Sequence, residues 1–144
     1  MNFALTYPET VAALYLDAPV LDIRSWPGGK GIGVGHAGEW ETCKACYDLH
    51  TEEEAEAFAE NPLDNAEKLA LTGIPVMLVA GDSDEVVPYV ENGEPFSDRY
   101  EEVGGRITVI LKADCGHHPH SLENPAPILE FIALLTGFEC GDIG

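Results

Sequence analysis

Basic residues are scarce in this 144-residue sequence, where seven Lys and Arg stand against 26 Asp and Glu, for a formal net charge of −19. A surface of that sign repels phosphate groups, so neither nucleic acid nor an anionic membrane surface is an expected partner. No run approaches the roughly 18 apolar residues of a membrane span. The first residues also show no basic stretch followed by an apolar one, so we expect a cytoplasmic protein.

Cysteine is also sparse. Four cysteines are too few for a disulfide scaffold, and in a cytoplasmic protein they are expected as thiols: Cys43, Cys46, Cys115 and Cys140. What the sequence does have is apolar residues, 45% of the total, gathered in blocks rather than diluted among the charges. That distribution predicts one folded domain over residues 1–144, with the acidic side chains as a solubilising coat.

Three continuous apolar runs predict strands that are buried on both faces. They cover residues 11–20, 74–81 and 107–111, and segments with helical features separate them. This alternation favours an α/β fold with a three-stranded parallel sheet flanked by helices.

Helix boundaries are marked by capping and breaking residues. Thr51 with Glu54 forms the pattern of a capping box and predicts a helix over residues 52–60, ended by Asn61-Pro62. Further helices are predicted over residues 63–71, residues 88–103, and from Asn124-Pro125 to the glycine at position 137.

Two short patterns suggest binding sites but have simpler explanations. The glycine-rich segment 26–38 is interpreted as a loop, because no Gly-Lys-Ser/Thr follows it and nucleotide binding is not expected there. Cys43 and Cys46 have the spacing of a redox motif. However, the pair lies within a helix predicted to start near Glu39, where we expect core contacts.

Residues suited to chemistry follow the second and third predicted strands. Gly-Asp-Ser-Asp-Glu-Val-Val-Pro occupies residues 81–88, and Gly-His-His-Pro-His occupies residues 116–120. Parallel strands place their carboxyl ends at one edge of the sheet, so an acid from one loop can meet a histidine from the other. The carboxylate would fix the tautomer of the imidazole and stabilise its protonated form.

These segments resemble the carboxyl-terminal half of the α/β-hydrolase superfamily, particularly its serine-esterase and prolyl-oligopeptidase-like members. The resemblance covers nearly the whole chain and extends to four further segments: residues 16–22, 25–29, 61–65 and 117–122. In that family the Gly-x-x-Asp-x-x-Val-Pro segment carries the triad acid and the Gly-His segment carries the base. The resemblance therefore implies Asp84 as the acid and His117 as the base.

The sequence departs from the family pattern at the nucleophile. The resemblance places the Gly-x-Ser-x-Gly elbow directly before a helix at residues 3–7, but the sequence begins at Met1 and contains neither the elbow nor the oxyanion-hole segment. None of the serines inherits the role by motif: Ser25, Ser83, Ser97 and Ser121. We expect hydrolysis of a small carboxylic ester or related acyl compound, with an unassigned nucleophile or water. The alternative is a catalytically inactive binding module.

A metal site is a further alternative. Five possible ligands fall within seven positions: Asp114, Cys115, His117, His118 and His120. In the resembled family the same His-His-Pro-His run accompanies the triad without a metal, so no cofactor is expected. If a metal is bound, the chain would be a small metal-binding protein that uses the cluster of His117, His118 and His120, and a second candidate ligand set is His118, His120 and Cys115. Otherwise His118 and His120 are candidate pocket residues.

Glu91 and Asn92 follow the acid loop and open a predicted helix. They are also candidate pocket residues, although charge near a helix N-terminus explains the glutamate equally well. The first predicted strand suggests an assembly, because its apolar edge has no predicted partner on one side. We expect a homodimer across that strand, forming one six-stranded sheet.

Overall fold

The structure is a computed structural model, and it describes residues 1–136. Its sheet has three parallel strands in the order β1-β2-β3: β1 (Leu14–Asp17), β2 (Val76–Gly81) and β3 (Ile107–Lys112). Leu14 lies opposite Val76, which in turn lies opposite Ile107. The predicted α/β class with a three-stranded parallel sheet is confirmed.

The strands differ in burial, and here the prediction is wrong for two of them. Only β2 is buried along its whole length, because it has a strand on either side. β1 is half-buried and covers four residues rather than the predicted ten, since Ala18 turns the chain with a φ of 42° before Pro19. β3 is the other edge strand and exposes Thr108 and Leu111.

Six helices are described, and none of the helices within residues 1–136 is long and apolar enough to cross a membrane. They are α1 (Asn2–Thr6), α2 (Ala37–Cys46), α3 (Glu52–Glu56), α4 (Ala66–Ala70), α5 (Gly93–Glu102) and α6 (Ala126–Thr136). Short 3₁₀ turns lie at Pro8–Thr10 and Tyr89–Glu91. The predicted end of the last helix at Gly137 lies outside the described residues, as does Cys140.

Three predicted helices are shorter than expected. The helix predicted over residues 52–60 has its capping box at Thr51 but ends at Glu56, and the carbonyl of Phe58 accepts a hydrogen bond from the side chain of Asn61. The helix predicted over residues 88–103 is interrupted at Asn92, whose φ and ψ of −123° and −76° are not helical. The helix predicted over residues 63–71 is reduced to α4.

The hydrophobic residues form two clusters. The larger one packs β2 against α1, α4 and α5, and its largest fully buried side chains include Tyr100, Phe96, Leu21, Leu69 and Leu78. The smaller one consists of Ile23, Trp40 and Ala55, with Cys43, Leu49 and Phe58 against it. The larger cluster fixes the sheet whose carboxyl edge carries the residues considered next.

Candidate functional site

Asp84 and His117 meet at the carboxyl edge of the sheet, as the sequence suggests. Asp84 Oδ2 lies 2.8 Å from His117 Nδ1. The other carboxylate oxygen, Oδ1, accepts hydrogen bonds of 2.9 Å from the backbone amides of Val86 and Val87. The Asp84 side chain is 1% exposed and the His117 side chain is 22% exposed. The backbone amides therefore fix the buried carboxylate, while the imidazole remains partly exposed to solvent.

This contact determines which imidazole nitrogen is available. An ionised carboxylate only accepts hydrogen bonds, so Nδ1 of His117 carries the proton that it donates to Asp84. The Nε2 atom of His117 then holds the free lone pair. If Nε2 takes up a proton, the buried carboxylate stabilises the resulting positive charge. The pair is thus arranged as a base with its orienting acid.

Close packing of two loops brings the pair together. A side chain at Gly81 would place its Cβ 2.1 Å from the carbonyl oxygen of Cys115, so only glycine fits at the end of β2. The amide of Ser83 donates to that same carbonyl at 3.0 Å, and the amide of Asp82 donates to the carbonyl of Lys112 at 3.1 Å. These bonds hold the acid loop against the histidine loop.

The histidine loop is also held from β1 and β3. The ammonium group of Lys112 donates to the carbonyls of Pro119 and Ser121, at 2.5 and 3.0 Å. The hydroxyl of Tyr15 donates to Ser121 Oγ at 3.2 Å, and burial raises the pKa of that tyrosine. Ser121 itself adopts a left-handed φ of 61°. All three strands therefore contribute to the position of this loop.

Three histidines cluster on the loop. The ring centroid of His117 lies 5.0 Å from that of His118 and 4.9 Å from that of His120. The rings of His118 and His120 are stacked at 4.5 Å. One ligand nitrogen from each of the three lies within 4.8 Å of the others. Within residues 1–136 this metal-compatible group consists of the three histidines of the cluster named from the sequence, and Cys115 lies outside it.

Asn92 and Glu91 serve a different part of the molecule. Asn92 is 1% exposed, and its side-chain oxygen accepts from the amide of Leu21 at 2.9 Å. The side-chain amide of Asn92 donates to Ser25 Oγ at 2.9 Å, and Ser25 in turn donates to Glu91 Oε2 at 2.8 Å. Glu91 also accepts from the amide of Ile32. Asn92 is thus a buried clamp in the structure.

Glu91 does line a pocket, but a shallow polar one beside the glycine-rich loop. Its lining consists of Asp22, Arg24, Ser25, Lys30, Gly31 and Glu91. The hydrogen bond from the Arg24 guanidinium to Asp22 raises the pKa of that arginine, and Arg24 also contacts Asp64. Lys30 forms ion pairs with Glu52 and Glu56. The cations of this pocket are therefore already neutralised.

The serines and thiols show no activated nucleophile in the described part of the chain. Ser83 donates to its neighbour Asp82, and Ser97 donates to the carbonyl of Glu94. With Ser25 and Ser121 engaged as described above, no serine of residues 1–136 is hydrogen-bonded to His117.

The two cysteines of α2 differ in their surroundings. Cys43 packs in the smaller cluster, as expected, whereas Cys46 is exposed. Burial raises the pKa of the Cys43 thiol, and the nearby Cys46 raises it further.

One polar group at the carboxyl end of β1 was not singled out from the sequence. The Oδ1 atom of Asp17 is buried without a hydrogen-bond partner among the described residues. Its position at a strand end, like that of the other two loops, is the only signal that could have indicated it.

No family model matches the sequence, and no curated protein matches it. Solved structures of hydrolases do match its backbone. A puromycin hydrolase superposes with a TM-score of 0.62 at 22% identity, over 88% of this chain and 18% of that one. A puromycin-hydrolyzing peptidase of Mycobacterium tuberculosis gives 0.56 at 18% identity, over 88% of this chain and 19% of that one.

The fold is that of part of an α/β hydrolase. The resemblance inferred from the sequence is therefore confirmed at the level of the fold. The chain spans less than a fifth of the length of the hydrolases that it matches.

Proposed function

We propose that this chain carries the acid and base of a site that hydrolyses carboxylic esters or related acyl bonds of small molecules. His117 is the general base, and Asp84 is the residue that orients it. The proposal rests on one observation, the 2.8 Å contact between the buried Asp84 carboxylate and Nδ1 of a partly exposed histidine. The similarity of the fold to that of puromycin hydrolases supports hydrolytic chemistry at this sheet edge.

The reaction uses the free lone pair of His117. Nε2 removes the proton from an attacking O–H group while the oxygen bonds to the acyl carbon and the carbonyl electron pair moves onto the carbonyl oxygen. As the bond to the leaving alcohol breaks, Nε2 returns the proton to the alcohol oxygen. Asp84 stabilises the imidazolium between these two transfers without taking the proton itself.

The attacking oxygen is that of water, or of a hydroxyl supplied from outside the described residues. Ser25 and Ser83 donate their hydroxyl protons to Glu91 and Asp82, so neither is positioned by His117. A positioned general base alone contributes about a hundred to ten thousand fold over the reaction without it. We therefore expect slow hydrolysis of activated esters.

Hydrolysis of p-nitrophenyl acetate tests this proposal. The assay compares the unmodified chain with His117→Ala, Asp84→Asn and His50→Ala, all in the presence of a chelator. His50 is the matched control, because it is an exposed histidine elsewhere, 73% accessible at its side chain, and free imidazole also attacks this substrate. We expect His117→Ala to lower the rate by about a hundredfold, the usual contribution of a positioned base.

Asp84→Asn separates a positioned base from a merely accessible one. An asparagine can present its amide to Nδ1 and favour the wrong tautomer, so the rate should lie between those of the unmodified chain and His117→Ala. Circular dichroism confirms that each variant folds. If the His117→Ala rate equals the His50→Ala rate with both variants folded, the chain is an inactive binding module and the proposal is wrong.

A further inference from the structure

The loop after β3 carries three histidines, one of which is the His117 that contacts Asp84. We propose that His117, His118 and His120 form a binding site for one Zn²⁺ ion. Their ligand nitrogens lie within 4.8 Å of one another. Imidazole nitrogens are preferred ligands of zinc, and three of them with one position left for water is a set that zinc adopts in proteins.

The observed spacing requires only a small adjustment of two side chains. Zinc binds imidazole nitrogen at about 2.0–2.1 Å, which places two ligands of a tetrahedral ion about 3.4 Å apart. His118 and His120 are exposed, and no hydrogen bond within residues 1–136 restrains either ring. Rotation of these two rings can therefore bring their nitrogens to the ion, while His117 stays in place.

His117 is already prepared as a ligand. Its Nδ1 proton is donated to Asp84, so Nε2 offers a lone pair in a fixed direction. A carboxylate on the far nitrogen of a zinc-binding histidine is the usual arrangement in proteins, because it fixes the ring and makes the ligand nitrogen more basic. Asp84 is itself held by the amides of Val86 and Val87. The orientation of the His117 ring therefore depends on Asp84 and, through Asp84, on these two amides.

The loop that carries the ligands is braced as well. Lys112 bonds the carbonyls of Pro119 and Ser121, which flank His120. These bonds turn the ammonium group toward the backbone. The excess of acidic over basic residues in the whole chain, a formal charge of −19, favours the approach of a divalent cation.

The zinc site and the proposed base use the same atom. An ion on Nε2 of His117 occupies the lone pair that would otherwise accept a proton. Bound zinc should therefore suppress the proposed ester hydrolysis, and this one consequence rests on the proposed function. The binding itself does not depend on that function, so it is measured directly and without substrate.

Competition with a chromogenic zinc indicator measures the site on the untagged chain. We expect one equivalent of Zn²⁺ to bind, and Co²⁺ in its place to show the visible absorption of a four-coordinate ion. His117→Ala, His118→Ala and His120→Ala should each lower the affinity at least tenfold. Asp84→Asn should lower it about tenfold to a hundredfold, as removal of such supporting partners does.

Two controls make the result decisive. His50→Ala removes an exposed histidine elsewhere, and Cys115→Ser removes a neighbouring thiol that the cluster leaves out. Both should retain the affinity of the unmodified chain. The proposal is overturned if binding is weak and unaffected by the three histidine variants, which means an adventitious ion only. A loss with Cys115→Ser equal to that with His118→Ala overturns it too, because the ligand set is then a different one.

Discussion

Asn92 and Leu21 are joined by a 2.9 Å hydrogen bond that links positions 71 residues apart, from the Leu21 amide to Asn92 Oδ1. The same oxygen accepts from the amide of Asp22 at 3.2 Å. On its other side the Asn92 amide donates to Ser25 Oγ and to the carbonyl of Pro88. One buried side chain therefore ties the segment after β1 to the acid loop and the start of α5.

Asn92→Ala should destabilise the protein by about 1–3 kcal/mol, because it leaves the buried amide of Leu21 and the partly buried amide of Asp22 without their hydrogen-bond partner. Urea unfolding followed by tryptophan fluorescence measures the change in the free energy of unfolding. Asn2→Ala, at an exposed position in α1, is the matched control and should change that free energy by no more than about 0.5 kcal/mol. Equal effects of the two substitutions would show that the clamp contributes nothing.

Tyr100 predicts a loss of stability at high pH. Its buried hydroxyl donates to the carbonyl of Ile74 at 2.5 Å, and burial raises the pKa of Tyr100 to about 12 from 10.0. Because the folded pKa is the higher one, the stabilisation is complete below pH 10 and is lost as the pH rises to about 12. Tyr100→Phe should lower the free energy of unfolding by about 1–3 kcal/mol at neutral pH. The difference in this free energy between the variant and the unmodified chain should decrease as the pH rises from 10 to about 12.

The control for Tyr100 is Tyr7→Phe, since Tyr7 is half exposed. Urea unfolding at pH 7, 10 and 11.5 gives the comparison. A constant difference between Tyr100→Phe and the unmodified chain across this range would contradict the prediction.

Glu52 predicts the opposite dependence, at low pH. Hydrogen bonds from Lys44, then Lys30 and Trp40, lower the pKa of Glu52 from 4.5 to about 2. A lowered folded pKa stabilises the fold above pH 4.5, and the stabilisation disappears as the pH falls toward 2. Glu52→Gln should therefore be less stable than the unmodified chain at neutral pH, with the difference vanishing in acid.

Glu53→Gln is the matched control for Glu52, because it removes a charge from the same first turn of α3. Its effect on the free energy of unfolding is subtracted at each pH. Added salt should reduce the remaining difference, since these groups lie near the surface. A Glu52→Gln effect that persists unchanged at pH 2 would disprove the assignment.

The homodimer across β1 stays a prediction. Among residues 1–136, β1 pairs only with β2. The amides of Leu14 and Ala18 donate to the carbonyls of Pro75 and Val79, so the alternating amides of Tyr15 and Asp17 point away from β2. Sedimentation equilibrium should give twice the 15.5 kDa of the chain. Hydrogen exchange should show the amides of Tyr15 and Asp17 protected. A monomeric mass with both amides exchanging freely would reject the dimer.

The sequence predicted the sheet better than its edges. The apolar runs located β2 and β3 to within two residues. For β2 the reason is that a parallel strand buried on both faces needs continuous apolar side chains. The same reasoning overestimated β1. Val11 is apolar because it packs against the larger cluster, and this requires no strand pairing. Apolar composition reports burial, and a loop can satisfy it as well as a strand.

The site shows a similar division. Asp84 and His117 were predictable, since each follows a strand directly and their loops share a sheet edge. The Ser25–Glu91 contact joins positions 66 residues apart and has no local pattern. The sequence around Asn92 indicates a candidate pocket residue, because nothing in its neighbours reveals hydrogen-bond partners 67 and 71 positions away. Long-range polar contacts of this kind depend on the finished packing.

The sheet order also has a consequence for the order of folding. Asp84 and His117 are 33 positions apart and lie in the loops that follow β2 and β3, whereas Tyr15 of β1 reaches its partner Ser121 across 106 positions. Loop closure costs more entropy over the longer separation, so the β2–α5–β3 unit has the faster route to its native contacts. Asp84 and His117 can thus come together during folding before β1 pairs with β2. In that order of events, β1 adds to a sheet in which the acid and base are already in contact.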